Sequence, residues 1–259
     1  MSQRKSLSRR SVIKGAAGTV AAGVMGLPAI SRAQADVVKI GHLTPRTGFL
    51  GTLGEYAVQA ADLAVEEINA AGGVMGRKIE LLKEDSVNPQ TASTKAERMI
   101  ERDQVACIVG EISSASALTI AQVAQRTKNL FVNTGANSDA LRGSNCNKYM
   151  FHVESQNSMY VKTVGRALLA QDRVKGRKWY SLTADYAFGH DLLRVAKRFM
   201  ETNGGEFAAD ELVPTDAADF SAFLVEIRNA KPDLVVSNLA GVQITNFLKQ
   251  YSEFGLDFP

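Results

Sequence analysis

Several chemistries are missing from this chain, and their absence narrows what it can do. It has only three histidines, His42, His152 and His190, which are scattered without metal-ligand spacing, so no metal site is expected. No G-x-S-x-G elbow surrounds Ser113 or Ser114, and neither G-x-G-x-x-G nor a Walker A loop occurs; Gly48, Gly51 and Gly54 lack the required spacing. With neither a nucleophile motif nor a cofactor fingerprint, we expect no catalysis and no cofactor. After residue 35 no apolar run is long enough to cross a bilayer, and no low-complexity linker or short repeat interrupts the chain. There are only two cysteines, Cys107 and Cys146. An even pair in an oxidising compartment suggests a disulfide, while the apolar run 105–109 around Cys107 suits a buried thiol equally well. Spacing leaves both alternatives open.

What is present begins with an address. Ser8-Arg9-Arg10-Ser11-Val12-Ile13-Lys14 precedes a mild apolar run over 15–30 and then Ala33-Gln34-Ala35. Charged region, apolar region and small-x-small site come in the order of an export signal, with cleavage expected after Ala35. The paired arginines resemble the twin-arginine (Tat) address, with Val12 where phenylalanine is usual; an ordinary dibasic secretory signal is the alternative. This segment also explains the charge. Residues 1–35 hold six of the 30 Lys and Arg and none of the 27 Asp and Glu, so 24 bases face 27 acids over residues 36–259. The net charge of +3 therefore gives no case for nucleic-acid binding.

Apolar runs and amphipathic stretches then alternate. Strands are expected at 37–43, 78–84, 105–109, 130–132, 149–153, 179–183, 207–212 and 234–236. Helices are expected at 55–70, 89–102, 115–126, 158–171, 189–202, 220–229 and 242–254. Gly72-Gly73 and Asn203-Gly204-Gly205 read as helix stops, and Asn88-Pro89 as a helix start. Strands separated by helices imply parallel sheets with right-handed crossovers, and the near-continuous apolar runs imply sheets covered on both faces. Residues 251–259 read as a helix end, a glycine stop and the beginning of another strand, so the C-terminal part is expected to be missing.

In order and spacing, Lys39-Ile40-Gly41-His42-Leu43-Thr44, 64–74 with 76–79, Asp85-Ser86 with Asn88-Pro89, Ile108-Val109-Gly110 with Ser113-Ser114, 133–137, Asp185-Tyr186-Ala187-Phe188-Gly189 and Asp219-Phe220-Ser221 resemble the leucine/isoleucine/valine-binding family, the type I periplasmic solute-binding proteins of ABC importers. The resemblance covers nearly all of the chain after the signal. It implies an α/β fold of two doubly wound parallel-sheet lobes joined by a hinge. Lobe 1 would span 36–150, and an incomplete lobe 2 would span 151–259. A periplasmic monomer would close on a small solute and present it to the transmembrane subunits of a permease.

Ligands of open parallel sheets sit beyond the carboxyl ends of the strands. Ser113, Ser114 and Ser116 open a helix there, where free N–H groups favour an anion; plain N-capping is the alternative. By resemblance, Ser114 holds an amino acid's carboxylate, the Ala136 carbonyl receives its ammonium, Leu53 packs on its side chain, and Phe188 is an aromatic contact. Asn137 stands where threonine is common and offers both a donor and an acceptor. Tyr186 is expected to help cover the ligand, and Asn238 to line the wall near the hinge. Arg46 reads as a solvated arginine, with pairing to an acid group of the ligand as the alternative. A branched-chain amino acid is the expected solute; aromatic carboxylates, amides or urea, and a role as a ligand-sensing ectodomain, remain alternatives.

Overall fold

The computed structural model describes residues 37–259; the expected export signal and its cleavage point lie outside the described residues. β1 (Val38–Thr44) pairs with β2 (Ile79–Asp85) and with β3 (Cys107–Gly110). β4 (Leu130–Asn133) and β5 (Met150–His152) extend this sheet in the order β2-β1-β3-β4-β5, and every pairing is parallel. Parallel neighbours cannot be joined by a tight hairpin. The crossovers are α1 (Gly51–Ala70), α2 (Pro89–Glu101) and α3 (Ser114–Thr127). After α4 (Asn157–Ala170), the series resumes with β6 (Lys178–Ala184), α5 (Ala187–Thr202), β7 (Glu206–Val213), α6 (Ser221–Ala230), β8 (Leu234–Asn238) and α7 (Val242–Glu253). These three strands form a second parallel sheet, β7-β6-β8.

Local chemistry explains the boundaries. Pro89 starts α2, where its missing N–H costs nothing, and the Asn88 side chain caps the helix by accepting from Thr91 N at 2.9 Å. α1 begins earlier than its periodicity suggests because the 3-10 turn Gly48–Leu50 runs directly into it. Its stop is steric: Gly73 sits at φ +79°, and a Cβ there would lie 2.0 Å from the Arg77 carbonyl oxygen.

Each sheet buries its own core. Leu43, Met99, Ile108, Ile120, Phe131 and Leu141 fill the first. Tyr180, Leu182, Phe220, Leu224, Ile227 and Phe247 fill the second. One expectation needs correction. Coverage of both faces fails at β7, where exposed and half-buried residues alternate, because β7 is an edge strand with β6 as its partner. α1 is thinly covered: Leu63 and Ile68 are 57% and 39% exposed, and only Gly51, Gly54 and Val58 of that helix are buried.

Register brings the strand ends level. Thr44 faces Asp85, Leu43 faces Gly110, and Asn133 faces both Gly110 and His152. The loops after β1, β2, β3 and β4 therefore leave the first sheet along one rim. On the second sheet, Ala184 is level with Val213, and Thr183 with Asn238. The loops around the two sheets are in contact. The Phe49 ring meets the Tyr186 ring edge-on at 5.3 Å. Gly241, at φ +55°, packs so closely that a Cβ would lie 1.9 Å from the Phe49 carbonyl oxygen.

Candidate functional site

The rim of the first sheet is built by the turn from β3 into α3. Gly110 and Glu111 both have positive φ, +126° and +74°, which swings the chain sharply off the strand and into the helix. Glu111 is wholly buried. Its Oε1 accepts from Ile112 N at 2.9 Å and Ser113 N at 2.8 Å, so its own carboxylate occupies part of the helix N-terminus. Its Oε2 has no partner. Burial pushes this carboxyl up to about 7, against the pull of the Ser113 amide, the nearby Ser86 hydroxyl and the Ile112 amide.

The serines divide their tasks. Ser113 is the N-cap of α3, and its Oγ accepts from Ser116 N at 3.4 Å. Ser114 is wholly buried, and its Oγ accepts from Ser138 N at 3.2 Å, tying the β3 and β4 loops together. That bond uses a lone pair and leaves the hydroxyl proton available. In the β4 loop, Asn133 folds back on its own turn. Its Oδ1 accepts from Ala136 N at 3.0 Å, and its Nδ2 donates to Ala136 O at 2.7 Å. The Ala136 carbonyl thus keeps one lone pair for a second donor. Asn137 spends its Nδ2 on Ser155 O at 2.9 Å and on the Tyr160 hydroxyl at 3.2 Å, while its carbonyl receives Asn157 N at 2.8 Å. Its side-chain donors thus clasp the start of α4, which differs from the free donor that the sequence suggested.

The second sheet contributes Tyr186 and Phe188 at the N-terminus of α5, their rings 5.8 Å apart. Burial, reinforced by the charge of Glu111, pushes the Tyr186 phenol upward, so it stays neutral. Phe49 completes this aromatic cluster from the first sheet's rim. A polar clasp lies beside it. Asp191 of α5 accepts on Oδ2 from Asp139 N at 2.7 Å and from Asn157 Nδ2 at 2.9 Å, and Arg194 bonds its Oδ1 at 2.6 Å.

Other expected positions fall outside this cluster. Leu53 is 41% exposed on α1. Asn238 is buried; its Nδ2 bridges Ser181 Oγ at 2.9 Å and Thr183 Oγ1 at 3.1 Å, tying β8 to β6, and the residue borders the apolar groove between α4, α5 and β8. Arg46 pairs with Glu55 at 2.7 Å on the surface. Cys107 and Cys146 are both free, so the disulfide alternative is set aside. Cys107 is held in β3 between Ile40 and Leu130, with its thiol pushed up by burial, whereas Cys146 sits in an exposed turn. An apolar groove of about 400 Å³ lies elsewhere, between α4, α5 and β8, lined by Val164, Leu168, Trp179, Phe199 and Val236. Sequence reasoning passed over Phe49, Glu111 and Asp191. Only Glu111 left a signal, an acid directly after the apolar run that ends in Gly110.

Comparison with known proteins places this geometry. The profile of a family described as "Periplasmic binding protein" matches residues 37–259. "Leu/Ile/Val-binding protein homolog 7" of Brucella abortus (strain 2308) is 28% identical over 242 residues, 91% of this chain and 60% of that protein. The chain thus spans about 60% of the length of the curated relatives that it matches. A solute-binding protein of an ABC transporter from Rhodopseudomonas palustris BisB5, solved with 3,4-dihydroxybenzoic acid, superposes with a TM-score of 0.76 at 28% identity, over 85% of this chain and 59% of that one. LivJ of Streptococcus pneumoniae, a branched-chain amino acid transporter substrate-binding protein solved with isoleucine, gives 0.75 at 27% identity, over 86% and 63%.

Proposed function

The chain belongs to the periplasmic binding protein family, and from that membership we propose that it captures a small solute between its two sheets for an ABC importer. The observation that carries this reading is the convergence of the Ser113–Ser114 helix start and the Ala136 turn with Tyr186 and Phe188, bridged by the Phe49–Tyr186 contact. One rim offers polar groups to a solute's head, and the other offers rings to its body. A solute touching both rims stabilises the closed arrangement over the open one, which is how binding becomes a signal. Lobe 1 then runs over 36–150 and lobe 2 from 151 onward. The protein is a monomer, exported through the twin-arginine address, cleaved after Ala35, and read by the transmembrane subunits of a permease.

A branched-chain amino acid is the first reading of the solute, supported by the Brucella and Streptococcus relatives. An aromatic carboxylate is the second, favoured by the Phe49, Tyr186 and Phe188 rings and by the Rhodopseudomonas relative. A thermal-shift screen of the full-length protein decides between them. A true ligand at about 100 times its dissociation constant adds roughly 2.7 kcal/mol of stability. A shift with leucine, isoleucine or valine upholds the first reading. A shift with dihydroxybenzoate alone replaces it with the second, and chemical conversion of the solute overturns both.

A further inference from the structure

A buried polar atom without a partner calls for an explanation, such as strain, an ordered water or a ligand. Three occur on adjacent strand ends of the first sheet: Thr44 Oγ1 at the end of β1, Ser86 Oγ just past β2, and Glu111 Oε2 just past β3. All three residues are wholly buried. The backbone locks them side by side, with Ser86 N donating to Thr44 O at 3.0 Å and Glu111 N donating to Leu43 O at 3.1 Å. Glu111 is held in the left-handed region at φ +74°, a conformation that a glutamate keeps only when its surroundings enforce it. Its Oε1 is consumed by two helix amides, while Oε2 has no partner in good hydrogen-bond geometry, the Ser86 hydroxyl being the donor nearby. A buried carboxyl oxygen without a well-aligned partner is a costly feature for a fold to retain without a use.

The geometry points to Glu111 as a specificity-determining contact: its Oε2, at the strand ends that also carry Thr44 and Ser86, accepts an N–H of the bound solute, from an ammonium or a carboxamide. This assignment rests on the solute-capture reading above and deepens it. A site built to bond an N–H discriminates against an analogue that lacks it, because its own buried acceptor is then left bare.

The same geometry makes binding respond to pH. The charged and titratable groups around Glu111 are few. Asp85 of β2 raises its carboxyl, and Asp85 is itself held by Arg46 N, Thr47 Oγ1 and Val87 N. Lys95 of α2 bonds the Asp85 carbonyl. Tyr186 faces it from the start of α5 as a neutral phenol, and α3 brings no acid into its first turn. Glu111, raised to about 7, is an acceptor above that pH and carries a proton below it.

Calorimetry on the full-length protein between pH 5.5 and 8.5 tests this with two matched pairs: leucine against 4-methylpentanoate, and 3,4-dihydroxybenzamide against 3,4-dihydroxybenzoate. The leucine arm reports an ammonium and the benzamide arm a carboxamide. In at least one pair the nitrogen-bearing member should bind roughly tenfold or more tightly, weakening as pH falls below about 7. Glu111→Gln should erase both the preference and the pH dependence. Should that variant fail to fold, wild-type binding at pH 6 in two buffers of different ionisation enthalpy reads the proton that Glu111 releases. Equal or tighter binding of the nitrogen-free members, an unchanged profile in Glu111→Gln, or no proton release overturns the assignment and leaves Oε2 with an ordered water only. A wild type that binds none of the four overturns the solute-capture reading, and the Glu111 assignment falls with it.

Discussion

Glu111 shows how much a single residue's surroundings decide. Beside a helix N-terminus a carboxylate is ordinarily stabilised, and two amides do stabilise this one. Burial outweighs them, and the carboxyl rises from 4.5 to about 7. Because the folded state binds its proton more tightly than the unfolded state does, stability falls as pH rises between those two values and levels off above them. The full excursion is on the order of 3 kcal/mol. Urea unfolding of the wild type between pH 4.5 and 8 should show this decline. Glu111→Gln, which keeps an acceptor for Ile112 N and Ser113 N, should remove the decline. A wild-type curve without it would mean that the carboxyl is solvated.

Among the elements, α2 and α3 show two ways of starting a helix. α2 uses Asn88 as a cap and Pro89 as a preset first residue. Replacing Asn88 with alanine removes the acceptor of Thr91 N and should cost about 1 kcal/mol, read as a lower urea midpoint with an unchanged slope. α3 is different, because its start is also the rim of the candidate site. Glu111 and Ser113 cap it from the N-terminal side, and Ser114 reaches across to Ser138. Serines in that pattern were legible as a helix start from the sequence. That Ser114 also braces the neighbouring loop was not, since Ser138 lies 24 residues away and meets it only through β3–β4 pairing.

At the scale of the whole molecule, the two sheets meet through small contacts in which shape counts more than area. Gly241 lets the start of α7 approach the Phe49 backbone, and neither its φ of +55° nor the space around it admits a side chain. Gly241→Ala should hold the two halves apart. We expect a larger radius of gyration by small-angle scattering with saturating solute, together with weaker binding. An unchanged radius and affinity would show that this approach is not needed for closure. The clasp of Asp139, Asn157, Asp191 and Arg194 joins the loop after β4 to α4 and α5, next to Phe188, whose carbonyl Asn157 Nδ2 also reaches at 3.2 Å.

The order of amino acids was enough to set the alternation of strands and helices and the parallel character of the sheets. Hydrophobic period, glycine stops and proline starts are local properties, so the chain displays them without folding. Which side chains in the loops are free was settled only on folding. Asn137 and Asn238 looked available but are consumed by partners far along the chain, at Ser155 and Tyr160 for one and at Ser181 and Thr183 for the other. Glu111, which drew no attention in the sequence, is buried with one oxygen unpaired. The physical reason is common to all three: a polar group's role depends on which donors and acceptors lie within about 3 Å, and only strand register and sheet order bring those groups together.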